Sequence, residues 1–172
     1  MPTSPGQRPI RFRISSLRLL MSFAVLFGST GCVSTEITHG SLADPARNWV
    51  YEPASKDEPA KLAYGREGTD DVDLMLWCDR PRQRVRFTPV GADDAHFARM
   101  TLQSLSQRLD LGLGQDARLG SVGDVPLTSP LLSAFRASAR ISMSLDGKWQ
   151  PDLAASSPRG SQQVNDFFRA CG

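Results

Sequence analysis

A basic leader followed by a short apolar run sets the terms for everything after it. Arg8, Arg11, Arg13 and Arg18 precede the nine-residue apolar run Leu19–Phe27, and the first acidic residue of the chain is Glu36. Gly28, Ser29, Thr30 and Gly31 come next, then Cys32. A positive head, an apolar middle and a small-residue tail make the three-part layout of a secretory signal. The run is too short to cross a bilayer, which takes about 20 apolar residues. A buried helix or strand of the folded domain is the competing reading. It fits poorly, because a leader this basic beside an apolar core makes a poor surface helix. Residues 1–31 are therefore assigned to a signal, and fold reasoning starts beyond them.

The run Ser29-Thr30-Gly31-Cys32 resembles the lipobox of bacterial lipoproteins. That resemblance implies a diacylglyceryl group on the Cys32 thiol, cleavage just before it and acylation, commonly with palmitate, of the new amino terminus. Thr30, Gly31 and Cys32 fit the pattern, whereas Ser29 stands where an aliphatic residue is usual. Ordinary cleavage after Gly31, releasing a soluble secreted form, stays open beside it. Several acyl chains hold firmly, since each buried methylene contributes about 0.8 kcal/mol. By the same resemblance, Val33 after the cysteine implies delivery to the outer membrane, with the domain in the periplasm.

Removing the leader reverses the charge. The whole chain has 20 Lys and Arg against 18 Asp and Glu, net +2. Four of the basic residues and none of the acids lie in residues 1–31, leaving 16 against 18, net −2. The basic character of the whole chain thus belongs to the signal and does not point to nucleic acid. The remaining 141 residues suit one domain and a tether.

Of the three cysteines, assigning Cys32 to lipid leaves Cys78 and Cys171 as an even pair in an oxidising compartment. A bond between them is expected, with two buried free thiols as the other state. It would close a loop of about 90 residues, for which the chain-entropy model gives about 4 to 5 kcal/mol. Two lone thiols without clustered histidines lack the ligand count zinc needs, so no metal is expected.

Residues 32–61, with Pro45, Pro53 and Pro59 and little periodicity, read as a tether. Trp49, Val50 and Tyr51 could dock it as an extended segment on the domain surface. The globular domain is placed at residues 62–172. Val72–Cys78 alternates, with Val72, Leu74, Leu76 and Cys78 on one face, which is a strand. A turn over Asp79–Arg82 leads to a second strand, Gln83–Pro89, in a register placing Leu76 opposite Val85 and Leu74 opposite Phe87. The same register sets Trp77 beside Arg84 on the outer face. Arg99–Ser104 and Gln107–Leu113 form another hairpin, and Ala117–Val122 a weaker strand. Thr128 or Ser129 caps a short helix with Pro130 in its first turn. Arg140–Leu145 is a strand, returned by the Asp146-Gly147 turn. The last element is a helix capped by Ser157. Val164, Phe167, Phe168 and Cys171 fall on one of its faces at i, i+3, i+4 and i+7. The expected fold is α+β and mostly antiparallel β. It is a small curved sheet or sandwich with one short helix and a C-terminal helix stapled by the disulfide.

Ala63-Tyr64-Gly65, the Asp70–Leu74 stretch leading to Cys78 and the ending Phe167-Phe168-Arg169-Ala170-Cys171 resemble small uncharacterised exported lipoproteins of proteobacteria. These motifs are structural, and the resemblance implies no catalytic residue and no cofactor.

Searching for chemistry gives weak signals only. Asp93, Asp94 and His96 could hold a metal loosely, but a solvated loop tip explains them better. Gly112-Leu113-Gly114 begins a loose dinucleotide pattern, yet Gly120, Gly123 and Pro126 leave no helix for a phosphate to meet. Asp71 and Asp73 share a strand face about 7 Å apart, a common spacing on exposed strands. Arg82, Arg84 and Arg86 form a possible anion-binding strip, or a solvated sheet face matched by nearby acids. The expectation is a non-enzymatic cell-envelope lipoprotein with a structural or binding role. It is anchored to the membrane by its N-terminal lipid and meets an envelope protein or polyanion. A small cell-wall-acting hydrolase or transferase is the alternative, as is a soluble secreted effector without lipidation.

Overall fold

The computed structural model describes residues 44–90 and 96–172. The leader, Cys32, Asp93 and Asp94 lie outside the described residues. In chain order the described elements are β1 (Arg47–Glu52), β2 (Lys61–Arg66), β3 (Val72–Asp79), β4 (Arg84–Pro89), β5 (Arg99–Ser104), β6 (Gln107–Gly112), β7 (Gly114–Asp116), β8 (Gly120–Pro126), α1 (Pro130–Ser138), β9 (Arg140–Leu145), β10 (Lys148–Trp149), β11 (Leu153–Ala154) and α2 (Pro158–Cys171). Two open antiparallel sheets result. One runs β1-β2-β3-β4-β8-β7; the other runs β10-β9-β5-β6, with β11 also pairing β9. The α+β, mostly antiparallel class read from the sequence is the observed one.

Alternation explains the core. Leu74, Leu76 and Cys78 of β3, Val85 and Phe87 of β4, Met100 and Leu102 of β5, and Ile141, Met143 and Leu145 of β9 all face one buried cluster. Leu131, Leu132 and Phe135 of α1 join it, with Val164, Phe167, Phe168 and Cys171 of α2. Ser157 caps α2 by accepting a hydrogen bond from the Gly160 N–H, and Pro158 sits in its first turn. Ser129 occupies the corresponding place before α1, although its side chain makes no capping bond.

The expected bridge is present. Cys78 and Cys171 are bonded with their Cα atoms 5.6 Å apart and 93 residues apart in sequence. It joins the inward face of β3 to the last turn of α2.

Three expectations need correction. The folded part begins well before Leu62, because Arg47–Glu52 is a full edge strand paired with β2. Trp49 is 1% exposed, so this segment is core and not a docked tether. Its ring lies 4.9 Å from both Tyr64 and Phe135. The β3–β4 hairpin is shifted by two residues, setting Leu76 opposite Phe87, Cys78 opposite Val85 and Trp77 opposite Arg86. The strand continues through Asp79, and the turn is a 3-10 turn over Arg80–Arg82 closed by Gln83 at φ 53°. Side chains alternate with period two, so this shift keeps every residue on its expected face. Finally, Ala117–Val122 is not one strand. Gly120 at φ +74° and the Asp116 carboxylate, which accepts from the Arg118 and Leu119 N–H groups, close a turn between β7 and β8.

Candidate functional site

On the outer face of the six-stranded sheet, register builds a row that no local stretch of sequence contains. Glu52 lies opposite Lys61, Lys61 opposite Trp77, Trp77 opposite Arg86, and Arg86 opposite Asp124. Five strands, β1, β2, β3, β4 and β8, contribute one residue each. The order is acid, cation, indole, cation, acid. Directly opposed side chains in antiparallel strands sit close enough to interact, and here they do. The Lys61 ammonium lies 4.7 Å from the Trp77 ring centroid and 3.9 Å from Glu52. Arg86 Nε is 3.3 Å from Asp124 Oδ1, and its Nη1 is 3.7 Å from Asp116.

The indole therefore sits between two cations whose charges are both matched. Cations over an aromatic face contribute about 0.5 to 1 kcal/mol at exposed sites. A groove of about 570 Å³ opens over this end of the row, bordered by Trp77, Arg86, Asp116, Arg118 and the Asp57–Pro59 loop. The Arg118 and Leu119 N–H groups hold the Asp116 carboxyl below the usual carboxylate range, so it stays charged at the groove's edge. At the centre of the row, the buried Nε1 of Trp77 finds no hydrogen-bond acceptor among the described residues. A buried donor without an acceptor costs about 1 to 3 kcal/mol, so the row carries a local penalty at its centre. The row thus sets charges of both signs around one indole.

Of the proposed arginine strip, Arg84 and Arg86 lie on this face and Arg82 in the 3-10 turn before β4, and all three are charge-matched. Arg82 meets Asp79 at 3.1 Å, Arg84 meets Asp124 at 2.9 Å, and Arg86 shares Asp124 with it. The acids that neutralise Arg84 and Arg86 come from β7 and β8, whereas Asp79 of β3 neutralises Arg82. Asp73 and Asp71 are both taken by the Arg47 guanidinium. Burial opposes the Arg47 charge, and the Asp73 and Asp71 carboxylates outweigh it, holding Arg47 above its ordinary range. Both carboxylates are thus committed to one guanidinium.

His96 stands apart, its Nδ1 3.0 Å from the Gln115 side-chain oxygen. The glycines at 112 and 114 flank the junction between β6 and β7. Sequence reasoning found Trp77 and Arg86 on the outer face, but missed Lys61, Glu52 and Asp124 as their neighbours. Only the long-range register reveals them.

Compared with known protein families, curated proteins and solved structures, the chain matches none.

Proposed function

We propose that this is a lipid-anchored cell-envelope protein whose folded domain has a structural or binding role. The observation that carries the reading is the Cys78–Cys171 bridge. Structural disulfides belong to oxidising compartments. With those two sulfurs bonded to each other, Cys32 is the one cysteine outside the bridge, and it stands where a lipobox places its modified thiol. The domain would then lie in the periplasm, tethered to the outer membrane.

The charge-matched row around Trp77 favours an envelope protein as the partner over a bare polyanion. Its cations already have acids beside them, so a polyanion would have to compete with Asp124 and Asp116.

Palmitate labelling of the wild type against Cys32→Ala tests the anchor, with the mature mass read under reducing and non-reducing conditions. Label that depends on Cys32, loss of residues 1–31 and a 2 Da gain on reduction, from two hydrogens added to one bridge, are expected. An unlabelled chain that retains its leader overturns the reading. For the partner, Arg84→Ser combined with Arg86→Ser should leave binding to envelope polyanions unchanged. A large salt-dependent loss would restore the anion strip.

A further inference from the structure

The two sheets treat their edges differently. On β1, the outward main-chain N–H groups are all used within the chain. Arg47 donates to the Asp44 carbonyl, Trp49 to the Asn48 side chain and Tyr51 to the Gln163 side chain. Ser156 Oγ donates in turn to the Arg47 carbonyl. That edge is closed to other strands.

The β6 edge is built the other way. Its pairing with β5 sets Leu109 opposite Leu102 and Leu111 opposite Met100, and the Leu113 N–H continues the ladder to the Ala98 carbonyl. In antiparallel pairs, hydrogen-bonded and non-hydrogen-bonded positions alternate. The odd-numbered residues therefore spend their main-chain groups on β5, and those of Arg108, Asp110 and Gly112 point away from it. Among the described residues nothing bonds to these outward groups. All three residues are exposed, and a side chain built at Gly112 would meet no atom within 4 Å.

We infer that β6 pairs antiparallel with β6 of a second copy of this chain, on a two-fold axis through Leu109. Three features select this partner and this register. First, the parity is right: with Leu109 on the axis, Arg108 faces Asp110 of the other copy, and both are residues whose main-chain groups point outward. Those two symmetric pairs supply about four backbone hydrogen bonds. Second, the charges are self-complementary. Arg108 and Asp110 share the exposed face, and the dyad at Leu109 puts each against its opposite. Moving the axis to Asp110 or Arg108 would set like charges directly opposite, which is destabilising. Third, Leu109 is half-buried, packed against the core yet still exposed at its edge. On the axis it meets its own mate and completes its burial. An interface of this kind is isologous and closes at two copies, joining two sheets into one continuous sheet.

Asp110 is pre-set for the role. The Thr101 hydroxyl donates to its Oδ1 at 2.6 Å from the neighbouring strand. Among the described residues its ion pair is with Arg108, at 3.5 Å. The dimer exchanges that contact within β6 for the equivalent one across the interface and leaves the β5–β6 ladder in place.

The test is a charge swap on the full chain, with mass followed by light scattering from about 1 to 100 µM. Wild type should pass from monomer to dimer in that range. Arg108→Asp alone and Asp110→Arg alone should each weaken dimerisation about tenfold or more, since each creates two like-charged pairs. The double swap should restore it, because the opposed pairs are then complementary again. Leu109→Cys supplies an independent reading: oxidation should link two copies through position 109, while Gln107→Cys, which lies off the axis, should not link to itself. A chain that stays monomeric throughout, a double swap no better than the single ones, or a Leu109→Cys protein that forms no bridge at 109 overturns the inference.

Discussion

The indole Nε1 of Trp49 donates a 3.0 Å hydrogen bond to the main-chain carbonyl of Ala139, 90 residues further along the chain. The same carbonyl accepts the Ala155 N–H, also at 3.0 Å. One oxygen at the end of α1 thus gathers the first strand, the helix and the segment after β11. Trp49→Phe keeps most of the apolar contact with Tyr64 and Phe135 and removes one bond, so it should cost about 1 kcal/mol. Trp49→Ala should cost about 3 to 5 kcal/mol through the cavity it opens. Urea midpoints of the two variants measure the difference. Equal losses would mean that the hydrogen bond, and not the ring, holds β1 in place.

Gly160 should resist a change that ordinarily helps a helix. Replacing glycine by alanine in a helix interior usually stabilises by about 1 kcal/mol. At Gly160 a Cβ would fall 1.8 Å from Asn48 Oδ1, far inside contact distance. Asn48 also donates to Ser157 at 2.7 Å, and its oxygen accepts from the Trp49 and Ser156 N–H groups. Gly160→Ala must push aside the side chain that ties β1 to the start of α2. A loss of about 1 to 3 kcal/mol is expected in thermal or urea unfolding. An unchanged or raised midpoint would show that Asn48 can move without cost.

Breaking the bridge should be among the largest losses. Cys78→Ala with Cys171→Ala removes a cross-link over 93 residues and should lower stability by about 4 to 5 kcal/mol in the chain-entropy model. The Tyr51–Gln163 bond and the Phe167 and Phe168 packing still hold α2, so the variant should fold in mild conditions and unfold at lower urea. A midpoint within about 1 kcal/mol of wild type would make the bridge an ornament of the compartment and not a support of the fold.

What the sequence made legible follows from how locally each signal is written. The period of two in Val72–Cys78 and the helical spacing of Val164, Phe167, Phe168 and Cys171 are complete within one element, so face and type could be read directly. Both cysteines fell on inward faces, and their pairing followed. β1 escaped because its six residues lie among prolines without a clean alternation, and because Trp49 is made a core residue by Ala139 and Phe135, which are far away in sequence. The β3–β4 register was off by two residues because the strand runs on through Asp79 into a 3-10 turn. The arginine spacing at positions 82, 84 and 86 was visible, whereas Asp124 and Asp116 reach it only through the β4–β8 pairing. The row centred on Trp77 is a property of five strands at once, and no window of sequence holds it.

Acid should loosen the β9–β11 corner before the rest. Burial pulls the Asp152 carboxyl upward, but hydrogen bonds from Ser142 and Arg140, with the Arg140 charge, outweigh it and hold it below the usual carboxylate range. Asp152 precedes β11, and both partners lie on β9, so this carboxylate fastens the two strands. A carboxyl lowered in the folded state binds its proton more readily when unfolded. Its contribution is therefore complete above the unfolded value, near 4, and is lost as pH falls through the folded one. Asp152→Asn keeps the shape and removes the titration. The stability gap between wild type and Asp152→Asn should be constant from about pH 7 to 5 and close steadily as the pH drops below about 4. Amide exchange at Leu153 and Ala155 should quicken over the same interval in wild type, relative to the Asn variant. A gap that stays level down to about pH 2.5 would place the attachment of β11 in its main-chain pairing with Ile141 and Arg140 alone.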